Sequence, residues 1–109
     1  MYGMVVVVDK PSAPENLTVA GTTDTTVDLK WMEPNDNGGC LIAQYVVERR
    51  EINKRTWQRD GTCTDLEFTA IALNAGQAYM FQVAAENEVG VGPFVELSKA
   101  AIPKSQFGK

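Results

Sequence analysis

Histidine is the first absence in this sequence, because none of the 109 residues is a histidine. Histidine is the commonest general base and the commonest metal ligand near neutral pH, so catalysis would have to depend on other groups. Cys40 and Cys63 are candidate nucleophiles, but neither has a basic sequence neighbour that would favour its thiolate. We therefore predict no catalytic residue, no cofactor and no metal site in this chain.

Long hydrophobic runs and an excess of positive charge are also missing. The longest apolar run, residues 4–8, is far shorter than the ~20 residues that a membrane-spanning helix needs. The net charge is −4, whereas binding to a phosphate backbone needs clustered excess lysine and arginine. These features predict no membrane partner and no nucleic-acid partner, and we expect the isolated domain to be monomeric.

Cysteine is scarce, with two residues in the chain. Both lie at loop-like positions beside glycines, Cys40 after Gly39 and Cys63 near Gly61, so a core disulfide is not expected. Small secreted domains often contain disulfides, and two unpaired thiols therefore favour a reducing, cytoplasmic compartment. Asn16 opens an Asn-Leu-Thr sequon, which matters only if the chain enters the secretory pathway. Whether Asn16 is ever glycosylated stays open at this point.

Short stretches of alternating hydrophobicity are what the sequence does contain. In the clearest one Val27, Leu29 and Trp31 alternate with Asp28 and Lys30, which is the pattern of a half-buried strand. No stretch of useful length has a helical period, and 109 residues are enough for one two-layer domain. We predict an all-β sandwich with a turn at residues 60–61 and seven strands near residues 16–20, 27–31, 45–51, 56–59, 66–70, 78–86 and 95–101.

Five positions carry a family resemblance that covers residues 11–102. They are Pro14 before the first strand, Trp31 on the second, Tyr45 on the third, and Leu73 followed six positions later by Tyr79. In this arrangement the chain resembles a fibronectin type III domain. The resemblance implies a seven-stranded immunoglobulin-like β-sandwich with these five residues in its structural core. It also implies a tyrosine corner, in which the hydroxyl of Tyr79 bonds backbone where the chain crosses between sheets.

A narrower resemblance lies in two loops. Gly38 and Gly39 stand in the run Asn-Asp-Asn-Gly-Gly-Cys-Leu-Ile, and Asn87, Gly90 and Gly92 stand in Asn-Glu-Val-Gly-Val-Gly-Pro. Both are similar to loops of fibronectin type III domains in giant muscle proteins such as titin and twitchin. We expect these five residues to define the loops, with Asn87 bonding its own loop and the glycines supplying turn geometries.

The termini suggest that the chain comes from a tandem array. Residues 1–10 look like the end of a preceding immunoglobulin-like domain and a linker, residues 11–103 are expected to form the fibronectin type III domain, and residues 104–109 are expected to lead to a following domain. Pro11, Pro14 and Pro103 restrict the backbone and suit stiff joints.

The resemblance implies a cytoplasmic, load-bearing spacer and docking domain of the sarcomere. Its expected partners are neighbouring immunoglobulin-like and fibronectin type III domains, with myosin or other thick-filament proteins as further candidates. The full-length parent protein could carry a kinase elsewhere. The alternative is an extracellular module of an adhesion molecule or receptor, which has similar core positions.

Trp57, Arg49 and Arg50 are the candidate partner contacts. With Lys54, Arg55 and Arg59, the two arginines could form a basic strip for an acidic partner. The competing interpretation is a solvated sheet face on which these cations alternate with acidic residues, and a Trp57 that packs over the sheet. The order Arg-Asp-Gly at residues 59–61 differs from that of the integrin-binding tripeptide, so cell attachment through it is not expected.

Overall fold

Seven β-strands and no helix make up the secondary structure of the computed structural model, which describes residues 7–105. Each strand follows a stretch in which apolar side chains recur at alternate positions, as β2 illustrates with buried Val27, Leu29 and Trp31. The strands are β1 (Glu15–Thr22), β2 (Val27–Met32), β3 (Gln44–Glu51), β4 (Gln58–Cys63), β5 (Glu67–Ala70), β6 (Tyr79–Glu86) and β7 (Val91–Glu96).

Two antiparallel sheets enclose the core. One sheet has the order β1-β2-β5 and the other has the order β4-β3-β6-β7. Trp31 and Leu29 from the first sheet face Tyr45, Phe81 and Val83 from the second within one buried cluster. The predicted all-β, seven-stranded immunoglobulin-like sandwich is confirmed.

The fourth strand is longer than predicted, and the predicted turn at residues 60–61 is wrong. Asp60 and Gly61 lie inside β4, where Gly61 pairs with Val47 of β3. The physical reason for a glycine here is packing, because a Cβ on Gly61 would lie 2.9 Å from Cζ of Phe68. The chain reverses earlier, where the Lys54 amide donates to the Glu51 carbonyl at 2.9 Å.

The last strand lies earlier than predicted, at Val91–Glu96 in place of residues 95–101. The loop motif predicts Gly92 and Pro93 to lie in a loop, but they are strand residues, and Pro93 is tolerated because β7 is at the edge of its sheet. After β7 the Leu97 amide still donates to the Phe81 carbonyl of β6 at 3.0 Å, and Ala101 forms a bridge in which Tyr79 and Ala101 exchange two 2.8 Å backbone hydrogen bonds.

Candidate functional site

The corner between the two sheets is fixed by a buried tyrosine. Tyr79, the first residue of β6, is 4% exposed, and its hydroxyl accepts a hydrogen bond from the backbone N–H of Asn74 at 2.9 Å. Leu73, next to Asn74 in the chain, is also buried in the core cluster. A buried phenol needs a partner for its oxygen, and here the partner belongs to the segment that connects β5 to β6.

Trp31, Tyr45 and Pro14, the other predicted core residues, are all buried. The rings of Trp31 and Tyr45 lie 5.5 Å apart with a 60° angle between their planes, a tilted arrangement that aromatic pairs favour. Burial raises the pKa of the Tyr45 hydroxyl, with smaller contributions from nearby Glu33 and Cys63. Pro14 directly precedes β1, where its fixed φ suits the entry of the chain into an edge strand.

The predicted loop residues meet at one end of the sandwich and hold residues 9–12. We call residues 9–12 the linker. The linker, the β2–β3 loop (residues 33–43) and the β6–β7 segment (residues 87–92) together form what we call the linker clamp. The Asp9 amide donates to the Gly38 carbonyl at 2.9 Å, and the Ser12 amide donates to the Asp36 carbonyl at 2.8 Å. The Ser12 hydroxyl also accepts from the Asp36 amide at 3.0 Å.

Asn87 joins the three parts of the linker clamp. Its side-chain N–H₂ donates to the carbonyls of Asp9 and Asn37, both at 2.8 Å. Its side-chain oxygen accepts from the amides of Val89 at 2.9 Å and Gly90 at 3.2 Å. Because Asn87 is 3% exposed, water cannot replace these partners easily, and an unpaired side-chain amide at this position would be costly. Its own loop bond was predicted, but its bonds to the linker were not.

The backbone of the linker lies directly against two glycines, Gly38 of the β2–β3 loop and Gly92 of β7. A Cβ on Gly38 would lie 2.0 Å from the Asp9 carbonyl oxygen, and one on Gly92 would lie 2.1 Å from that of Pro11. Gly38 also has a φ of +79°, which side chains disfavour. Gly92 lies within β7 and has no such φ, so the predicted turn role of Gly92 is wrong. A glycine is needed at position 92 because the Pro11 backbone passes too close to leave room for a side chain.

The two other predicted glycines take part less directly. Gly39 also has a positive φ, of +86°, but a Cβ there would meet nothing closer than the Val7 carbonyl oxygen at 3.5 Å. A Cβ on Gly90 would lie 3.1 Å from Cε of Lys10, the flexible end of a side chain. All five predicted loop residues therefore lie beside residues 7–11, and of the four glycines Gly38 and Gly92 are the two at which a Cβ would clash with backbone atoms.

A basic cleft lies at the opposite end of the sandwich. It has a volume of about 410 Å³, and its lining includes Arg49, Arg50, Lys54 and Arg55. Lys54 pairs with Glu51 at 3.8 Å and is well exposed, so this ion pair adds little to stability. The cleft gathers four cations around one acidic residue, Glu51, in a chain of net charge −4.

The predicted partner contacts Arg49, Arg50 and Trp57 all have partners inside the domain. Arg50 donates to the carbonyls of Ile52 at 3.3 Å and Lys54 at 2.8 Å, and its guanidinium lies 5.0 Å from the centre of the Trp57 ring. Arg49 donates to the Ile71 carbonyl at 3.1 Å. These contacts order the cleft, and binding of an acidic partner there stays a prediction.

Asp60 of β4 has a buried carboxylate whose hydrogen bonding is incomplete. Its Oδ1 lies 4.0 Å from Nη1 of Arg49, and its Oδ2 is buried without a hydrogen-bond partner among the described residues. Burial raises the pKa of Asp60 above its ordinary value of 3.8, and the charge of Arg49 offsets part of that effect. Ionisation of Asp60 therefore costs more free energy in the folded chain than in the unfolded chain.

We expect Asp60→Asn to change how stability depends on pH. A raised pKa means that the contribution of Asp60 is fully favourable below 3.8 and is lost as pH rises through the higher folded value. The free energy of unfolding of the variant should therefore rise relative to that of the parent as the pH is raised above 3.8. Urea denaturation at several pH values measures this difference. A difference that stays constant or falls with pH would contradict the burial argument.

No other chemistry is concentrated in the residues that the structure describes. Cys40 and Cys63 are both free and half-buried, and burial raises the pKa of the Cys63 thiol, which disfavours a reactive thiolate. Within residues 7–105 no group of three potential metal ligands occurs. The same residues include no helix that is long and apolar enough to cross a membrane.

Comparisons with known proteins agree with this architecture. The sequence model described as "Fibronectin type III domain" matches residues 12–100. The chain is 37% identical over 86 residues to the titin homolog of Caenorhabditis elegans, which is 77% of this chain and, to the nearest per cent, 0% of that protein. It is 32% identical over 105 residues to the human cell adhesion molecule DSCAM, which is 94% of this chain and 5% of that protein.

Two solved structures extend the comparison. Domains A168–A170 of titin superpose with a TM-score of 0.86 at 33% identity, over 90% of this chain and 34% of that chain. The twitchin kinase region of C. elegans superposes with a TM-score of 0.86 at 27% identity, over 93% of this chain and 18% of that chain. The chain thus spans a small part of each relative. Its fold, its core and its match over residues 12–100 show that it belongs to the fibronectin type III family.

Proposed function

We propose that this chain is a load-bearing spacer and docking module of a giant sarcomeric protein of the titin and twitchin kind. It would act in the cytoplasm, in a tandem array of immunoglobulin-like and fibronectin type III domains. Its first partners are the neighbouring domains, and thick-filament proteins such as myosin are further candidates. Fibronectin type III domains are non-catalytic modules, so any kinase activity of the parent protein would come from another domain.

The observation that carries this proposal is the attachment of residues 9–12 and residues 103–104 to opposite ends of the sandwich. At one end the linker clamp holds residues 9–12, and Pro11 is fully buried. At the other end Pro103 is fully buried as well, and its carbonyl accepts from the Gly76 amide at 3.1 Å. The Thr22 hydroxyl donates to the Lys104 carbonyl at 2.7 Å.

A spacer under load needs such attachments, because tension enters the domain through its two ends. Loose ends would let neighbouring domains move independently, whereas ends that are hydrogen-bonded to the sandwich transmit force and direction. The similarity to titin relatives supports the sarcomeric assignment. By the same argument the domain boundaries would lie near residues 11 and 103.

An extracellular adhesion module is the second candidate. It is supported by the 32% identity to human DSCAM and by the exposed position of Asn16, the sequon residue, in edge strand β1. A glycan at Asn16 would extend into solvent without displacing core residues.

Mass spectrometry of the protein recovered from its native tissue separates the two candidates. For the sarcomeric module we expect an unmodified Asn16 and free thiols at Cys40 and Cys63. The same sample treated with a glycan-releasing enzyme serves as the control, because it should leave the Asn16 peptide mass unchanged. A glycan at Asn16 would place the parent protein outside the cell and contradict the proposed function.

A further inference from the structure

The arginines of the basic cleft have hydrogen-bond donors that the domain does not use. Arg49 bonds to the Ile71 carbonyl and approaches Asp60 through Nη1 alone. Both bonds of Arg50 to carbonyls also come from its Nη1. A guanidinium has further donors on Nε and Nη2, and in both arginines these have no partner among residues 7–105. Adjacent donors of this kind form the planar fork that matches a carboxylate.

The rest of the cleft lining is also rich in donors. Arg55 is exposed and has no hydrogen bond or ion pair with residues 7–105. Thr56 and Asn74 also line the cleft, and their side chains have no hydrogen-bond partner among the same residues. Against these donors the lining contains one carboxylate, that of Glu51. The cleft is therefore complementary to a ligand that carries several acceptor oxygens.

The guanidinium of Arg50 is already ordered before a partner binds. It donates to the carbonyls of Ile52 and Lys54 and lies 5.0 Å from the centre of the Trp57 ring. Exposed ion pairs contribute little, partly because two long side chains lose conformational freedom when they form one. Because Arg50 has lost that freedom within the domain, binding of an anion costs less entropy there. The cleft therefore differs from a solvated face of mobile cations.

The cations are spread along the cleft and do not converge on one point. Arg49 and Arg50 are consecutive residues of β3, so their side chains leave opposite faces of the sheet. Arg49 reaches the connection between β5 and β6, whereas Arg50 reaches the β3–β4 loop, which also contains Lys54 and Arg55. This spacing matches several anionic groups on one chain better than a single phosphate group. The volume of about 410 Å³ has room for a few side chains of an extended segment.

We propose that the basic cleft binds an extended peptide segment of a partner protein in which several glutamate or aspartate residues lie close together. Arg49 and Arg50 bind its carboxylates through Nε and Nη2, and Lys54 and Arg55 add attraction from the exposed loop. Glu51 opposes binding, because its charge has the same sign as that of the segment. The proposal goes beyond the proposed function, since it names the chemistry of one partner and does not depend on the compartment.

The 109-residue chain itself tests the proposal in a titration with hexaglutamate peptide, followed by the ¹H–¹⁵N amide shifts of residues 49–56. We expect these shifts to saturate, and Arg55→Glu to weaken binding by about fivefold or more, because one attraction becomes a repulsion. Lys99→Glu is the matched control, since it makes the same change in net charge at an exposed residue outside the cleft. It should change the affinity by less than about twofold.

Glu51→Gln gives a result that loss of folding cannot imitate. It removes the carboxylate of the cleft, and the ion pair that it breaks, with exposed Lys54, adds little to stability. We expect hexaglutamate to bind this variant about two- to fivefold more tightly. Glu96→Gln, which removes the same charge from an exposed residue of β7, is the control and should leave the affinity nearly unchanged.

Three results would overturn the binding site: no saturable shift of the cleft amides, equal weakening by Arg55→Glu and Lys99→Glu, or no gain in affinity with Glu51→Gln. Tighter binding of a peptide whose only anionic group is one phosphoserine would overturn the assignment to an acidic segment. None of these results bears on the glycan at Asn16, so the proposed function is judged separately.

Discussion

Replacing Gly38 with alanine is expected to lower the free energy of unfolding by about 2–5 kcal/mol, through two separate effects. The first is backbone strain, since a φ of +79° brings the Cβ of any L-residue close to the following carbonyl oxygen. The second is a clash, because the new Cβ would lie 2.0 Å from the Asp9 carbonyl oxygen. That oxygen accepts from Asn87, and the Asp9 amide donates to Gly38, so moving the linker breaks both bonds.

Gly76→Ala separates the two effects. Its φ of +80° is nearly the same as that of Gly38, but a Cβ there meets nothing within 4 Å. We therefore expect Gly76→Ala to cost only the strain, about 1–2 kcal/mol. Denaturant unfolding of both variants measures the difference, which is the contribution of the linker contacts. Equal losses would mean that the linker clamp adds no stability, and the structural account of Gly38 would be wrong.

Tyr79→Phe is expected to cost about 1–3 kcal/mol. The substitution keeps the ring in the core but removes the oxygen that accepts from the Asn74 amide at 2.9 Å. That backbone N–H then loses its partner at the corner between β5 and β6, and a partly buried donor without a partner is costly. Chemical denaturation midpoints of variant and parent provide the measurement.

Tyr45→Phe is the matched control for the tyrosine corner. Tyr45 is 3% exposed, much like Tyr79, but its hydroxyl is not among the buried unpaired polar atoms of residues 7–105 and bonds to none of those residues. Removal of this hydroxyl should therefore change the stability by no more than about 0.5 kcal/mol. If both variants lost the same stability, the hydrogen bond to Asn74 would not be the source of the Tyr79 effect.

Patterns within single strands were sufficient to predict the sandwich and its core. Val27, Leu29 and Trp31 alternate with charged residues, and a period of two leaves only one face that can be buried, so their burial could be predicted without a structure. The bounds of β4 and β7 could not be predicted, because both are edge strands whose extent depends on pairing with β3 and β6. Gly61 was assigned to a turn since nothing local in the sequence indicates that Phe68 packs against it.

The candidate site was predicted only in part. Gly38, Gly39, Asn87, Gly90 and Gly92 could be singled out because their loops resemble those of fibronectin type III domains in giant muscle proteins, but their shared contact with residues 7–11 could not be predicted. Asp9, Ser12 and Asp36 were not singled out as clamp residues, because their bonds join segments that are about 24 or more residues apart and leave no local signal. The basic residues near Arg49 could be identified from the composition of this segment. Their hydrogen bonds to carbonyls within the domain could not be predicted, because these bonds depend on the conformation of the loops.

Composition and periodicity therefore decided the class of the protein: one all-β domain, without histidine chemistry, with an alternating core and glycine-rich connections. These properties follow from residue types and from their order along the chain, so they can be predicted from the sequence alone. Tertiary structure alone decided that the glycines and Asn87 hold residues 9–12 and that Pro11 and Pro103 are buried in the domain. The physical reason is that each of these facts depends on which distant backbone segments approach within hydrogen-bonding or van der Waals distance.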